Sequence, residues 1–192
     1  TKAPTKESDG TIGRSGALCC ACGSPVALKY VRAEGRTGRM GARLMSIVAE
    51  GKRSRLYLAP DSQHASAARI DRPSGVISGS LPKNPRDFKT PNYGMNEWAD
   101  LFTSRQLVAL ATFNDLVREA RSRILGDALE RGLAKGDRLA EGGEEGEAYA
   151  DAVATYLAMA ASNISDDHSS LVSWRSSHGT GATRSTFARQ AL

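Results

Sequence analysis

"TSRQLVALATFNDLVREARSRILGDALERG", residues 103–132, decides the fold. It predicts a long helix with a marked start. Thr103 and Gln106 fit the T-x-x-Q capping box, in which each side chain satisfies a backbone N–H that the first turn leaves without a partner. Leu110, Phe113, Val117, Ala120, Ile124 and Ala128 recur at spacings of three and four, which lines them along one face. Leu107, Leu116, Leu125 and Leu129 widen that stripe, so burial on more than one side is expected. Gly126 is a candidate bend and Gly132 a candidate end. Asp115, Glu119, Asp127 and Glu130 flank Arg118, Arg121, Arg123 and Arg131, the mixed charge of a solvated face.

Downstream, the acidic turn "AEGGEEGE" (140–147) leads into a second helix. Its stripe is Tyr149, Val153, Tyr156, Leu157, Ala160 and Ile164, and its many alanines favour close helix approach. Glu144, Glu145 and Glu147 sit where the helix dipole favours anions. "SDDHSSLVSWRSSHGTG" (165–181) reads as a polar linker anchored by Trp174, and "TRSTFARQAL" (183–192) as a third helix cut off by the chain end.

Upstream, Pro73, Pro82, Pro85 and Pro91 argue against regular structure over 61–95, which reads as an extended arm. Residues 15–60 read as a small antiparallel β-unit. Val26, Leu28 and Tyr30 alternate within 25–34, and 42–50 and 54–60 look like two further strands around "EGKR", where Gly51 would supply a permissive φ. Residues 1–14 read as disordered or linker, and 96–192 as a helical unit. No repeat of 20–50 residues is present.

Composition is that of an ordinary globular chain, 40% hydrophobic and 24% charged. No apolar run is long enough to span a bilayer, and the first residues lack the apolar core of a secretory signal. Three cysteines form no disulfide framework, so a reducing, cytoplasmic setting is expected. The first residue is Thr rather than Met, from which an excised segment or processed product is expected. The net charge of +5 is uneven: residues 1–60 hold eleven Lys and Arg against four Asp and Glu. A basic third of this kind is the footprint of a polyanion contact or of a plain solvated face.

Four stretches bear on chemistry. In "SGALCCACGSPV" (15–26), Cys19 and Cys22 form C-x-x-C-G, whose two thiolates can share one tetrahedral zinc. A structural zinc needs four ligands, and no second pair accompanies them, while His64, His168 and His178 are scattered. Half of a ribbon, an empty knuckle and a redox pair all remain open, the last lacking the strand–helix setting it requires. "DDHSS" (166–170) reads as a solvated turn rather than a triad, since triads assemble in space. "GRTGRMGAR" (35–43) lacks the Lys-Ser/Thr of a phosphate-binding loop. It would instead present Arg36, Arg39 and Arg43 to phosphates, beside Lys52, Arg53 and Arg55 of the hairpin, unless it is a plain basic loop. Trp98 and Phe102 read as packing anchors.

These segments also carry a family resemblance. "GALCCACGSPV", "GRMGARLMSIVAEGKRSRLYLAP", "YGMNEWADLFTSRQLVALATFNDLVREAR", "AYADAVATYLAMA" and "TFARQAL" resemble, in order, the DUF1156-containing adenine-specific DNA methyltransferases with a zinc ribbon. The most specific part is W-x-D-L-F-T-x-R-Q-L: Trp98, Asp100, Leu101, Phe102, Thr103, Arg105, Gln106 and Leu107. The resemblance implies a parent that uses S-adenosylmethionine, with a Gly-rich cofactor motif and a cysteine pair upstream and a D-P-P-Y motif downstream. This chain holds neither D/N-P-P-Y/F nor a Gly-rich cofactor loop, and "KNPRD" (83–87) is the nearest string. It implies no catalytic or cofactor-binding residue here, and a zinc site at Cys19 and Cys22 only with the upstream pair. The expected fold is α+β: a small antiparallel, zinc-ribbon-like β-unit, a Pro-rich arm and a mainly helical unit. The expected partners are DNA and the other domains of the methyltransferase, with no membrane; the rival expectation is a helical interaction module without a nucleic-acid role.

Overall fold

The computed structural model describes residues 10–84, 89–175 and 182–186. The fold is α+β, with small antiparallel strand pairs beside helices. The expectations for residues 1–9, for His178 and for 187–192 lie outside the described residues.

The first unit is a hairpin of β1 (Gly16–Leu18) and β2 (Pro25–Ala27), in register Gly16↔Ala27, Ala17↔Val26 and Leu18↔Pro25. The strand expected over 25–34 stops at Ala27, where α1 (Leu28–Arg36) begins. The alternation of Val26, Leu28 and Tyr30 was misleading. From Leu28 to Gly35 only Lys29 and Tyr30 are exposed and Gly35 is buried, which follows no two-residue alternation. Gly35 is buried against the 3-10 turn Thr90–Tyr93. A Cβ added at Gly35 would lie 2.5 Å from the Tyr93 carbonyl oxygen, and one at Gly94 would lie 2.2 Å from the Gly35 oxygen. Glycine at both positions lets backbone meet backbone, and Gly94 also sits at φ 87°. Arg32 lies over the Tyr93 ring, 5.6 Å from its centre, which adds a cation–π contact to the joint.

β3 (Ile47–Glu50) and β4 (Arg55–Leu58) form the expected hairpin, paired from Ile47↔Leu58 to Glu50↔Arg55. Gly51 N–H donates to the Ser54 carbonyl at 3.0 Å. Its φ is not positive; glycine is needed there because a Cβ would sit 2.4 Å from that same oxygen.

The arm is more structured than its prolines suggest. Asp61 caps a short helix, α2 (Ser62–Ala67), accepting the His64 N–H at 2.8 Å. Residues 79–81 then bolt onto the chain entering the long helix: Leu81 N–H donates to the Asn96 carbonyl and Trp98 N–H to that of Gly79. Leu81, Ala99, Leu101 and Leu107 are buried there. Trp98 is half-buried beside Gly79, as expected of an anchor.

α3 (Ser104–Glu130) carries the Thr103–Gln106 capping box and runs through Gly126 without interruption. α4 (Gly146–Asp167) packs against it, with Ala128, Ala148 and Ala150 buried. Burial is narrower than the sequence predicts. Phe113, Leu116 and Leu129 on α3 are exposed, as are Tyr149, Tyr156, Leu157 and Met159 on α4. Pairing two helices buries one stripe of each, and the outer halves of both wide stripes stay exposed among the described residues. After α4, the expected linker contains β5 (Ser173–Arg175), which includes Trp174, and the expected third helix begins instead as β6 (Ala182–Arg184).

Candidate nucleic-acid interface and cysteine knuckle

The cysteine turn caps the β1–β2 hairpin. Cys19 N–H donates to the Ser24 carbonyl at 2.9 Å, and Gly23 N–H donates back to the Cys19 carbonyl at 2.8 Å. Gly23 closes the turn at φ 71°, a left-handed conformation that favours glycine. Cys19, Cys20 and Cys22 are free thiols, and Cys22 is exposed. Cys22 Sγ lies 3.3 Å from Ser24 Oγ. Hydrogen bonds from the Ser24 hydroxyl, then the Ser24 backbone, then Cys19 hold the Cys22 thiol below its ordinary pKa. Cys19 and Cys22 would supply at most two of the four ligands that a tetrahedral zinc needs. Among the described residues, no group of three or more His, Cys, Asp or Glu is placed to hold a metal. The chain's own described side chains therefore do not close a zinc site.

The six basic residues singled out in the sequence fall on different elements and loops. Arg36 lies in the last turn of α1. Arg39 is engaged: its Nε and Nη2 donate to both Glu34 carboxylate oxygens at 2.7 and 2.6 Å. That bidentate fork lowers the Glu34 pKa and raises that of Arg39. Lys52 and Arg53 stand exposed at the tip of the β3–β4 hairpin, and Arg55 lies on β4. Arg43 lines a separate groove at the base of that hairpin.

Other charged groups serve the fold. Arg121, expected on a solvated face, turns inward: its Nε donates to Asp151 at 2.7 Å and its Nη2 to Glu147. Arg138 donates to the other Asp151 oxygen at 2.6 Å, and Leu139 N–H joins it at 3.1 Å. The hydrogen bond from Arg138 is the largest cause holding the Asp151 carboxyl well below the usual range; burial opposes it, and Arg121 and Leu139 reinforce it. Asp151 thereby ties α3, α4 and the inter-helix loop together. Asp115–Arg118 and Glu119–Arg123 do form the expected exposed pairs along α3.

Asp100, inside the most specific stretch of the resemblance, is also structural. Burial alone would raise its carboxyl pKa, but N–H donation from Glu97 and Asn96, with Arg72 beside it, brings it below the ordinary value. Through Arg72 it pins the arm to the start of the helical unit.

"DDHSS" is the solvated turn expected only in part: Asp167, His168 and Ser170 are exposed, whereas Ser169 is not. Ser169 is buried, with its Oγ 2.6 Å from Thr186 Oγ1, and Ser170 Oγ donates to the Leu101 carbonyl at 2.7 Å. His168 Nδ1 meets the Ile164 carbonyl at 2.9 Å. These bonds join the end of α4 to the Leu101 region and leave no serine–histidine pair among them.

No helix among the described residues is long and apolar enough to cross a membrane. Comparison with known proteins finds no matching family profile, no matching curated protein and no matching solved structure.

Proposed function

We propose that this chain is a non-catalytic segment of an S-adenosylmethionine-dependent, adenine-specific DNA methyltransferase, contributing backbone contacts to DNA and packing against the catalytic domain. The observation that supports it best is the β3–β4 hairpin. Lys52 and Arg53 project at its tip with no carboxylate partner among the described residues, and Arg43 stands unpaired at its base. Unpaired cations on a projecting hairpin suit phosphate contacts, which position a protein on DNA without reading sequence. The cofactor and the catalytic motif belong to the rest of the parent. The free thiols fit a reducing, cytoplasmic setting, and a zinc ion at Cys19 and Cys22 would require an upstream cysteine pair.

The test is fluorescence anisotropy with a random-sequence 20-base-pair duplex across a salt series. Binding that weakens steeply with salt supports the reading, and no binding at 20 mM salt contradicts it. Methyl transfer from labelled S-adenosylmethionine by this chain alone would contradict the non-catalytic part.

A second reading, a helical interaction module, draws on the apolar groove between α3 and α4, lined by Phe113, Leu116, Val117, Leu157, Ala160 and Ile164. Without a nucleic-acid role, it predicts no salt-dependent duplex binding by the wild-type chain, and loss of protein association when Leu116→Glu is combined with Leu157→Glu.

A further inference from the structure

A groove of about 680 Å³ opens at the base of the β3–β4 hairpin. Three segments far apart in sequence wall it: 42–45 before β3, 60–69 around α2, and 103–105 at the start of α3. Each brings one arginine: Arg43, Arg69 and Arg105. All three are exposed, and none of their guanidinium groups makes an ion pair or hydrogen bond among the described residues. This contrasts with Arg39, Arg72, Arg118, Arg121, Arg123 and Arg138, each of which is matched to a carboxylate.

One carboxylate lines the groove, and it is already engaged. Asp61 Oδ1 accepts the His64 N–H at 2.8 Å and lies 2.7 Å from His64 Nδ1. Three unmatched guanidinium groups therefore face one carboxylate that is spoken for. The groove also abuts the N-terminal end of a 27-residue helix, where the backbone dipole adds positive potential. Ser62 and Thr103 line the same walls with hydroxyl-bearing side chains. A phosphodiester backbone suits this environment better than a lone carboxylate ligand. It presents successive anionic oxygens that separate guanidinium forks can grip.

We infer that this groove, with Arg43, Arg69 and Arg105, is where the chain grips the DNA phosphate backbone, and that the hairpin tip is an accessory contact. The inference rests on the DNA-contact reading above. It adds two residues, Arg69 and Arg105, that lie outside the basic third of the chain.

The test uses the same fluorescent duplex and the full chain in three forms: wild type, Arg43→Gln with Arg69→Gln and Arg105→Gln, and a control with Arg118→Gln, Arg123→Gln and Arg131→Gln. Thermal unfolding of each form checks that it is folded, and the single variant Arg69→Glu serves if the triple does not fold. Losing three phosphate contacts should make the slope of log affinity against log salt shallower by about 2.7. The fall in affinity between 50 and 200 mM salt should then be about 40-fold smaller than for wild type. The control should keep the wild-type slope, and Arg69→Glu should weaken binding by at least about tenfold at 50 mM salt. If the wild type binds DNA and the folded groove variant keeps its affinity and slope, the groove is not the site and the DNA-contact reading survives on other residues. If the wild type binds no DNA, that reading fails and the inference falls with it. An acidic peptide displacing the duplex with equal affinity would also overturn the assignment to phosphodiester.

Discussion

Gly35→Ala and Gly126→Ala are formally the same change, a glycine inside a helix replaced by the best helix former. Propensity alone predicts that each stabilises by about 1 kcal/mol. The structure predicts opposite signs. At Gly126 in α3 nothing lies within 4 Å of an added Cβ, so the full gain of about 1 kcal/mol should appear. At Gly35 in α1 the new methyl would stand 2.5 Å from the Tyr93 oxygen, 2.8 Å from its carbonyl carbon and 2.9 Å from Met40 Sδ. The methionine can swing aside, but the carbonyl belongs to a 3-10 turn whose own backbone is hydrogen-bonded. Overpacking costs about 1–3 kcal/mol, and a backbone obstacle places this case near the upper end. Set against the helix gain of about 1 kcal/mol, the net should be a loss of about 2 kcal/mol. The two variants should therefore differ by about 3 kcal/mol, well beyond the error of urea unfolding followed by circular dichroism. Gly94→Ala should be at least as damaging as Gly35→Ala, since it meets the Gly35 oxygen and must also adopt a positive φ. If Gly35→Ala stabilises as Gly126→Ala does, the backbone joint between α1 and the Thr90–Tyr93 turn is wrong.

Further outcomes follow from other sites. Asp151→Asn should remove part of the acid dependence of stability. The folded Asp151 carboxyl titrates below its unfolded value near 3.9, so its contribution is present above that pH and is lost as pH falls towards the folded pKa; urea midpoints at pH 6 and pH 3 should converge in the variant. Thr103→Ala breaks the capping box at the head of α3 and should cost about 1 kcal/mol in urea unfolding. Glu34→Gln should release Arg39 from its carboxylate and strengthen DNA binding at low salt, with no gain in an Arg39→Gln background. Zinc titration followed with a chromogenic chelator should show no tightly held equivalent on the chain alone, because Cys19 and Cys22 supply two ligands only; one such equivalent would overturn that account.

What the sequence discloses divides by range. The head of α3 is local chemistry, a hydroxyl and an amide three residues apart, and Thr103 and Gln106 are found where their types predict. The β3–β4 hairpin is equally local, although Gly51 is needed for close approach rather than for φ. α1 is hidden because Val26, Leu28 and Tyr30 alternate like a strand, and the backbone it packs on, at Tyr93 and Gly94, lies far along the chain. Arg121 looked like one more solvated charge, since its partners Glu147 and Asp151 lie on another helix. The candidate site shows the same limit. Arg43 was legible within a basic stretch, whereas Arg69 and Arg105 join it only once α2 and the start of α3 are folded against the hairpin base. The signal that could have found Arg105 is the absence of a carboxylate three or four residues from it on α3, in contrast to Arg118 and Arg123.

The most direct test of the central claim is the salt dependence of duplex binding by the wild-type chain and by the Arg43→Gln, Arg69→Gln, Arg105→Gln variant, measured side by side. The account predicts salt-sensitive binding for the first and a slope shallower by about 2.7 for the second. Absence of binding by the wild type, or identical slopes for the two, would contradict it.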